Sequence, residues 1–297
     1  MIEDIAGNDA VRLPHAVTVV IPAFNEGAHV ADQVREVERV LATTGWTYEI
    51  IVVDDGSRDN TAEEADRTGA LVLRRLRNRG YGAALKLGIS RATHPWILIT
   101  DADGTYPVEA IPGLLAEADA NEMVIGGRLG ANVNIPLARR PAKWFLNKLA
   151  GYLAGQPLPD INSGLRLMRR SLVARYEHLL PEGFSFTTTI TMSAACNGHA
   201  FIYVPIDYHA RLGQSKIRPR HALDFTILIL RTIVFFNPLK VFLPVGAMLF
   251  VAGVAKFIFD ITRDNLSESA VLGIIGALVV WAVGLLADQN MRIARRS

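Results

Sequence analysis

One cysteine, Cys196, is all the thiol chemistry this 297-residue chain holds. That excludes an intramolecular disulfide and a thiolate zinc cluster, and it makes a catalytic domain in a reducing, cytosolic compartment the simplest expectation. Net charge is nearly absent as well: 31 Lys and Arg against 29 Asp and Glu leave +2, so no basic excess points to nucleic acid. No Gly-x-Gly-x-x-Gly follows the first apolar run and there is no P-loop lysine motif, which argues against dinucleotide binding and ATP hydrolysis. The N-terminal stretch MIEDIAGNDAVRLPH is acidic and has no apolar core, so it does not read as a signal peptide.

Apolar residues are abundant instead, at 50%, and they are unevenly placed. Val241 to Ala255 carries no charge, Lys256 is followed by Phe-Ile-Phe, and Ala270 to Ala287 gives another 18 uncharged residues. A spanning helix needs roughly 20 apolar residues, and both runs qualify if Lys256 snorkels to a headgroup. The link DITRDNLSES holds one Arg and three acids, whereas the tail MRIARRS holds three Arg. The positive-inside rule therefore places both ends in the cytoplasm and the acidic turn outside. Upstream, HALDFTILILRTIVFFNPLKVFLP is apolar but broken by Asp224, Arg231 and Lys240, which suits helices lying in the membrane interface. The expected organisation is an N-terminal extension over 1–16, a catalytic domain over 17–218, interfacial helices over 219–238 and a two-helix membrane domain over 239–297. Two spans in so short a chain also suggest a homo-oligomer that buries them together.

The N-terminal two-thirds alternates. AVTVVIPAFNE reads as a buried strand with a Pro-led turn, and Val30, Val34, Val37, Val40 and Leu41 then recur at helical spacing. YEIIVVDDGS, ALVLRRL and PWILITDAD read as further buried strands, separated by helical stretches. Continuous apolar strands alternating with helices imply an α/β fold with a doubly wound, mostly parallel sheet. Ligands bind such sheets at the carboxyl ends of the strands. Those ends carry Asn25 and Glu26, Asp54 and Asp55, then Asp101 and Asp103. Two carboxylates one residue apart repel, so the stretch DADGTYP at 101–107 calls for something positive between or beside them.

Seven segments in order, PAFNE at 22–26, VVDDGSRDNT at 52–61, NRGYGAAL at 78–85, DADGTYP, GGR at 126–128, DINSGLRLMRR at 160–170 and RLGQSKI at 211–217, together resemble the family 2 glycosyltransferases of the GT-A fold. Within that family the pattern is most similar to the polyprenyl-phosphate glycosyltransferases of the dolichyl-phosphate mannose or glucose synthase type. The resemblance covers about residues 17–217 and implies a nucleotide-sugar donor, with UDP favoured over GDP, a polyprenyl phosphate acceptor at the lipid bilayer, and Mg²⁺ or Mn²⁺. It implies that Asp103 coordinates the metal, with Asp101 on the ribose or the metal's water shell. Pro22, Ala23, Asn25 and Glu26 would line base and ribose, Asp54 and Asp55 would meet the base, and Gly80 would allow close approach of backbone to nucleotide. Arg211, Ser215 and Lys216 would close over the diphosphate.

On the acceptor side the resemblance gives Arg128 the lipid phosphate, with Arg139 and Arg140, beside Lys143, adding cation density before the amphipathic KWFLNKLAGYLAG. A serine that relatives place four residues after the arginine is missing, since Lys143 and Trp144 stand there. Asp160 and Ser163 open DINSGLR, with Asp160 read as an orienting group. A phosphate monoester is already largely ionised near neutrality, so it requires orientation more than a general base. Thr187 to Thr189 stand where enzymes with hydroxyl acceptors often carry an acid. The competing readings are a processive polysaccharide synthase, transfer to another membrane lipid, and an inactive membrane-tethered scaffold. No Gln-x-x-Arg-Trp motif is present and no tryptophan follows an arginine, which counts against the first of these.

Overall fold

A computed structural model describes residues 14–133, 140–183, 185–209, 237–263 and 267–294, together with positions 227 and 234. The chain forms two compact units interleaved in sequence: 1–134, 163–186 and 200–214 make the first, and 135–162, 187–199 and 215–297 the second.

Among the described residues the first unit has seven strands, β1 (Ala16–Ala23), β2 (Thr47–Asp54), β3 (Leu71–Arg74), β4 (Trp96–Ile99), β5 (Met123–Val133), β6 (Arg166–Arg169) and β7 (Phe201–Tyr208). They form one sheet in the order β3-β2-β1-β4-β6-β5-β7. Helices α1 (Val30–Leu41), α2 (Thr61–Asp66), α3 (Tyr81–Arg91), α4 (Ile111–Ala116) and α6 (Arg170–Tyr176) belong to the same unit. The periodic residues Val30, Val34, Val37, Val40 and Leu41 are the buried face of α1 and join Val17, Val19, Ile21 and Val52 in the core. β1, β2, β3 and β4 are mutually parallel, as the alternation implied. β6 departs from that reading: it lies antiparallel between β4 and β5. Its four residues, RLMR, set two apolar residues between arginines and give no continuous apolar run to mark a buried strand, and a hydrophobic pattern carries no strand direction.

The second unit contains α5 (Arg140–Ala154), most of α7 (Phe186–Cys196), and two long helices, α8 (Leu239–Ile261) and α9 (Glu268–Ala294). On α5, Trp144, Phe145 and Tyr152 are exposed. α8 and α9 pack as an antiparallel pair with glycines at the seam: Gly246 lies against Trp281 and Gly284 against Phe242, while Gly253 and Gly273 meet each other. Small residues let helix backbones approach where no hydrophobic effect drives them together. The Trp281 indole donates to the Leu243 carbonyl at 3.1 Å, beside Pro244. At the turn, Asp260 accepts from the Lys256 ammonium and from the Ser267 hydroxyl and backbone N–H. The outward faces are apolar and exposed, with Met248, Val251, Leu272 and Leu286 among them. Both helices are long and apolar enough to cross a membrane, since 23 residues of α8 extend about 35 Å against roughly 30 Å of hydrocarbon.

Candidate active site

β1 and β2 are in register so that Ala23 pairs with Asp54, and β4 pairs with β1 up to Ile99 opposite Val20. Three strands therefore end together, and the loops after them carry the polar clusters. Two of these loops brace each other. Asn25 has a positive φ of 55°, which asparagine tolerates better than most residues. Its side-chain oxygen accepts from the Arg58 N–H at 2.9 Å, and its own N–H donates to the Ser57 hydroxyl at 2.9 Å. The Glu26 N–H donates to the Thr61 hydroxyl and the Gly27 N–H to Asp59. Burial raises the pKa of Asp59, but hydrogen bonds from the Thr61 hydroxyl and the Gly27 and Thr61 N–H groups outweigh it, and the net shift is downward. Pro22 and Ala23 lie at the end of β1, beneath this braced pair of loops.

Asp54 and Asp55 are both buried, and a buried carboxylate needs partners. Asp54 accepts from the Ser57 N–H at 2.9 Å. Asp55 accepts from the Arg79 N–H at 3.0 Å and the Gly80 N–H at 2.7 Å, with the Arg75 guanidinium 3.6 Å away. In the structure this pair fixes backbone: Asp55 pins the loop that opens α3. Gly80 sits at φ 108°, and a Cβ there would meet the Glu182 carbonyl oxygen at 2.8 Å. What approaches Gly80 closely is thus the 181–183 segment, to which the Ala83 N–H and Arg79 side chain are also bonded.

The third cluster has the most structure behind it. Asp103, 8% exposed, accepts from the Thr105 N–H at 3.2 Å and hydroxyl at 2.7 Å, which sets its carboxylate in one orientation. Gly164 packs directly on Asp101: a Cβ there would stand 3.1 Å from both carboxylate oxygens and 3.0 Å from the Tyr106 ring. The Gly164 N–H donates to the Tyr106 hydroxyl at 2.6 Å. Tyr81, on α3, is half-buried with its hydroxyl shielded from solvent; that burial first, then Asp101 and Tyr106, push its pKa well up, with Arg166 opposing. The Tyr106 hydroxyl is pushed up as well, chiefly by burial, and both phenols stay protonated at neutral pH. Arg166, fully buried in β6, donates to the Ser163 carbonyl at 3.1 and 2.5 Å.

Arg128 lies on β5 opposite Ile206 of β7. Its guanidinium carbon is 5.2 Å from the centroid of the Tyr208 ring, and Tyr208 meets Tyr106 edge-to-face at 5.2 Å. The Ser163 hydroxyl donates to the Gly126 carbonyl. The first unit therefore brings together the strand-end residues Pro22 to Glu26, Asp54, Asp55, Gly80, Asp101, Asp103, Arg128 and Ser163. Asp160 is fully buried and belongs to the second unit, as does Arg140, which opens α5. Arg139, Arg211, Ser215 and Lys216 lie outside the described residues, as does most of 219–238. Sequence reasoning passed over Tyr81, Gly164 and Arg166, although two of them stand inside the quoted DINSGLR. A glycine after a serine in a loop gives no sign of which carboxylate will rest on it.

The donor set suits a hard cation in one particular way. Among the described residues no group of three or more His, Cys, Asp or Glu gathers, and Asp101 and Asp103 stand as a pair of carboxylates one residue apart at this edge. Mg²⁺ is commonly held by one or two carboxylates, the remaining ligands being substrate phosphates and water. Two oriented carboxylates fit that pattern.

The profile of glycosyl transferase family 2 matches residues 18–176, and that of the GtrB C-terminal hairpin matches residues 237–293. The chain is a member of glycosyl transferase family 2, and its catalytic unit has the mixed, mostly parallel GT-A-like fold. It is 36% identical over 163 residues to undecaprenyl-phosphate 4-deoxy-4-formamido-L-arabinose transferase of Klebsiella pneumoniae, covering 53% of this chain and 50% of that protein. It is 31% identical over 206 residues to dolichyl-phosphate hexose transferase of Haloferax volcanii, covering 68% of this chain and 87% of that protein. The chain thus spans about half the length of the Klebsiella relative and most of the archaeal one. Among solved structures, glucosyl-3-phosphoglycerate synthase from Mycobacterium tuberculosis, in complex with Mn²⁺, UDP-glucose and phosphoglyceric acid, superposes with a TM-score of 0.60 at 19% identity, covering 73% of this chain and 79% of that one. At that identity the likeness concerns the fold.

Proposed function

We propose that the protein transfers a single hexose, with inversion, from a nucleotide-sugar to a polyprenyl phosphate at the cytoplasmic face of a membrane. The observation that carries this reading is the oriented Asp101–Asp103 pair at the strand ends, on the same unit as Arg128, in a family 2 chain whose C-terminal hairpin is apolar. The activities of the bacterial and archaeal relatives, both transfers to a polyprenyl phosphate, support the acceptor class.

Catalysis then follows from charge and placement. Asp103, held by Thr105, and Asp101, backed by Gly164, would hold Mg²⁺ or Mn²⁺ against the donor diphosphate. A bound divalent ion supplies Lewis-acid neutralisation of the leaving nucleotide diphosphate. Arg211, Ser215 and Lys216 add to that neutralisation in this reading, and Asp54, Asp55 and the 22–26 loop frame the base and ribose, with UDP the favoured nucleotide. Arg128, assisted by Arg139 and Arg140, presents the lipid phosphate. An oxygen of that phosphate attacks the anomeric carbon as the bond to the diphosphate breaks on the opposite face, so one displacement inverts the centre. The acceptor dianion needs no general base, and Asp160 acts by orienting. Both termini and the catalytic unit lie on the cytoplasmic side, and the two spans favour a homo-oligomer.

Thermal-shift binding of the full chain to a panel of UDP- and GDP-sugars with Mn²⁺, followed by transfer to undecaprenyl phosphate, tests the reading. A donor that stabilises the chain only with metal, and a product bearing one sugar, are expected. Products bearing many sugars would favour the processive reading, and no stabilisation by any donor would remove the catalytic one.

Gly164 gives a further prediction. A Cβ there lies tighter against Asp101 than ordinary contact allows, so Gly164→Ala should displace that carboxylate by a few tenths of an ångström. Misplacement of a reacting group by about 1 Å can cost about 100-fold, so a drop in kcat of roughly 10-fold or more is expected, with circular dichroism unchanged. Wild-type turnover in a folded variant would show that Asp101 tolerates the shift.

A further inference from the structure

We propose that Tyr208 is the positioning residue for Arg128, an inference that rests on the acceptor-phosphate reading above. The strand register puts the two together. Arg128 pairs with Ile206 in parallel β5 and β7, and side chains two residues apart on a strand share a face. Tyr208 therefore projects beside Arg128, and the guanidinium carbon stands 5.2 Å from its ring centroid. The register shifts between Arg128 and Val133, where five residues of β5 match two of β7, so the pairing that fixes Arg128 ends just where Tyr208 begins to support it.

Cation–π attraction to the ring steers where the guanidinium stands, and a planar guanidinium is the group whose N–H fork matches a phosphate bidentately. Tyr208 is itself held. Its ring meets Tyr106 edge-to-face, and Tyr106 accepts the Gly164 N–H that backs Asp101. The next residue, His209, donates its N–H to the carbonyl of Thr105 at 3.0 Å, and Thr105 is the residue that orients Asp103. The same aromatic pair thus ties the Arg128 cation to the loop of the two carboxylates. A lysine at position 128 would keep the charge but lose the planar fork.

The test uses the full chain in detergent, with undecaprenyl phosphate binding read by thermophoresis and UDP–Mn²⁺ binding read by calorimetry. Tyr208→Leu should weaken undecaprenyl phosphate by about 5- to 30-fold, the factor a partly desolvated cation–π contact supplies, and leave UDP–Mn²⁺ binding within about twofold. Tyr208→Phe, which keeps the ring, should bind like the wild type. In an Arg128→Ala background, Tyr208→Leu should add nothing. Equal losses in Tyr208→Phe and Tyr208→Leu, or a full additional loss in the Arg128→Ala background, would overturn the positioning role. If Tyr208→Leu does not purify folded, Tyr208→Met, which fills the volume without a π face, carries the same expectation. Failure of the underlying reading looks different: Arg128→Ala itself would then leave undecaprenyl phosphate binding unchanged.

Discussion

Replacing Asp103 by Asn should lower turnover by at least about 100-fold, the scale of removing one strong electrostatic stabiliser from a transition state, while leaving the fold intact. The physical case rests on what the amide keeps and what it loses. The Thr105 N–H and hydroxyl bond one oxygen of the Asp103 side chain, and an amide oxygen accepts those same bonds. Shape and local backbone are therefore preserved, and the melting temperature should move little. The negative charge is lost, and with it the affinity of the site for a hard divalent cation. Calorimetry of UDP with Mn²⁺ should show the loss directly, independent of activity. Near-native turnover in excess Mn²⁺ would refute the metal role of Asp103.

Arg128→Ala should produce the second large effect, on the other substrate. The substitution removes charge-assisted, bidentate hydrogen bonds to a phosphate. Acceptor KM should rise and kcat should fall, by a combined factor of about 100 or more in kcat/KM, as expected when a charged partner worth roughly 3 kcal/mol is deleted. Donor binding should stay nearly unchanged. Arg128→Lys should recover part of the loss, because it restores charge but not the planar fork that stands beside Tyr208. The competing view is that Arg128 grips the donor diphosphate beside Lys216. A large loss of nucleotide affinity in Arg128→Ala, with acceptor KM unchanged, would move the residue to the donor side.

Much of this protein is legible in its sequence. Continuous apolar runs ending in Asn25, Asp54 and Asp101 specify parallel strands whose carboxyl ends share one edge, because chain direction and alternation with helices leave few other arrangements. The uncharged stretches at 241–255 and 270–287 gave α8 and α9 by length alone. Periodicity reports which face of an element is buried, and a strand end reports where a polar loop must start. Neither reports the partner of a side chain. Only the tertiary structure decided that Asp55 holds the backbone of Arg79 and Gly80, 24 and 25 residues away, and that β6 enters the sheet antiparallel. It likewise decided that Gly164 lies on Asp101 and that Tyr208 lies under Arg128. These contacts join segments roughly 60 to 80 residues apart, whose meeting depends on strand order and register, and a one-residue change of register turns every side chain of a strand to its other face.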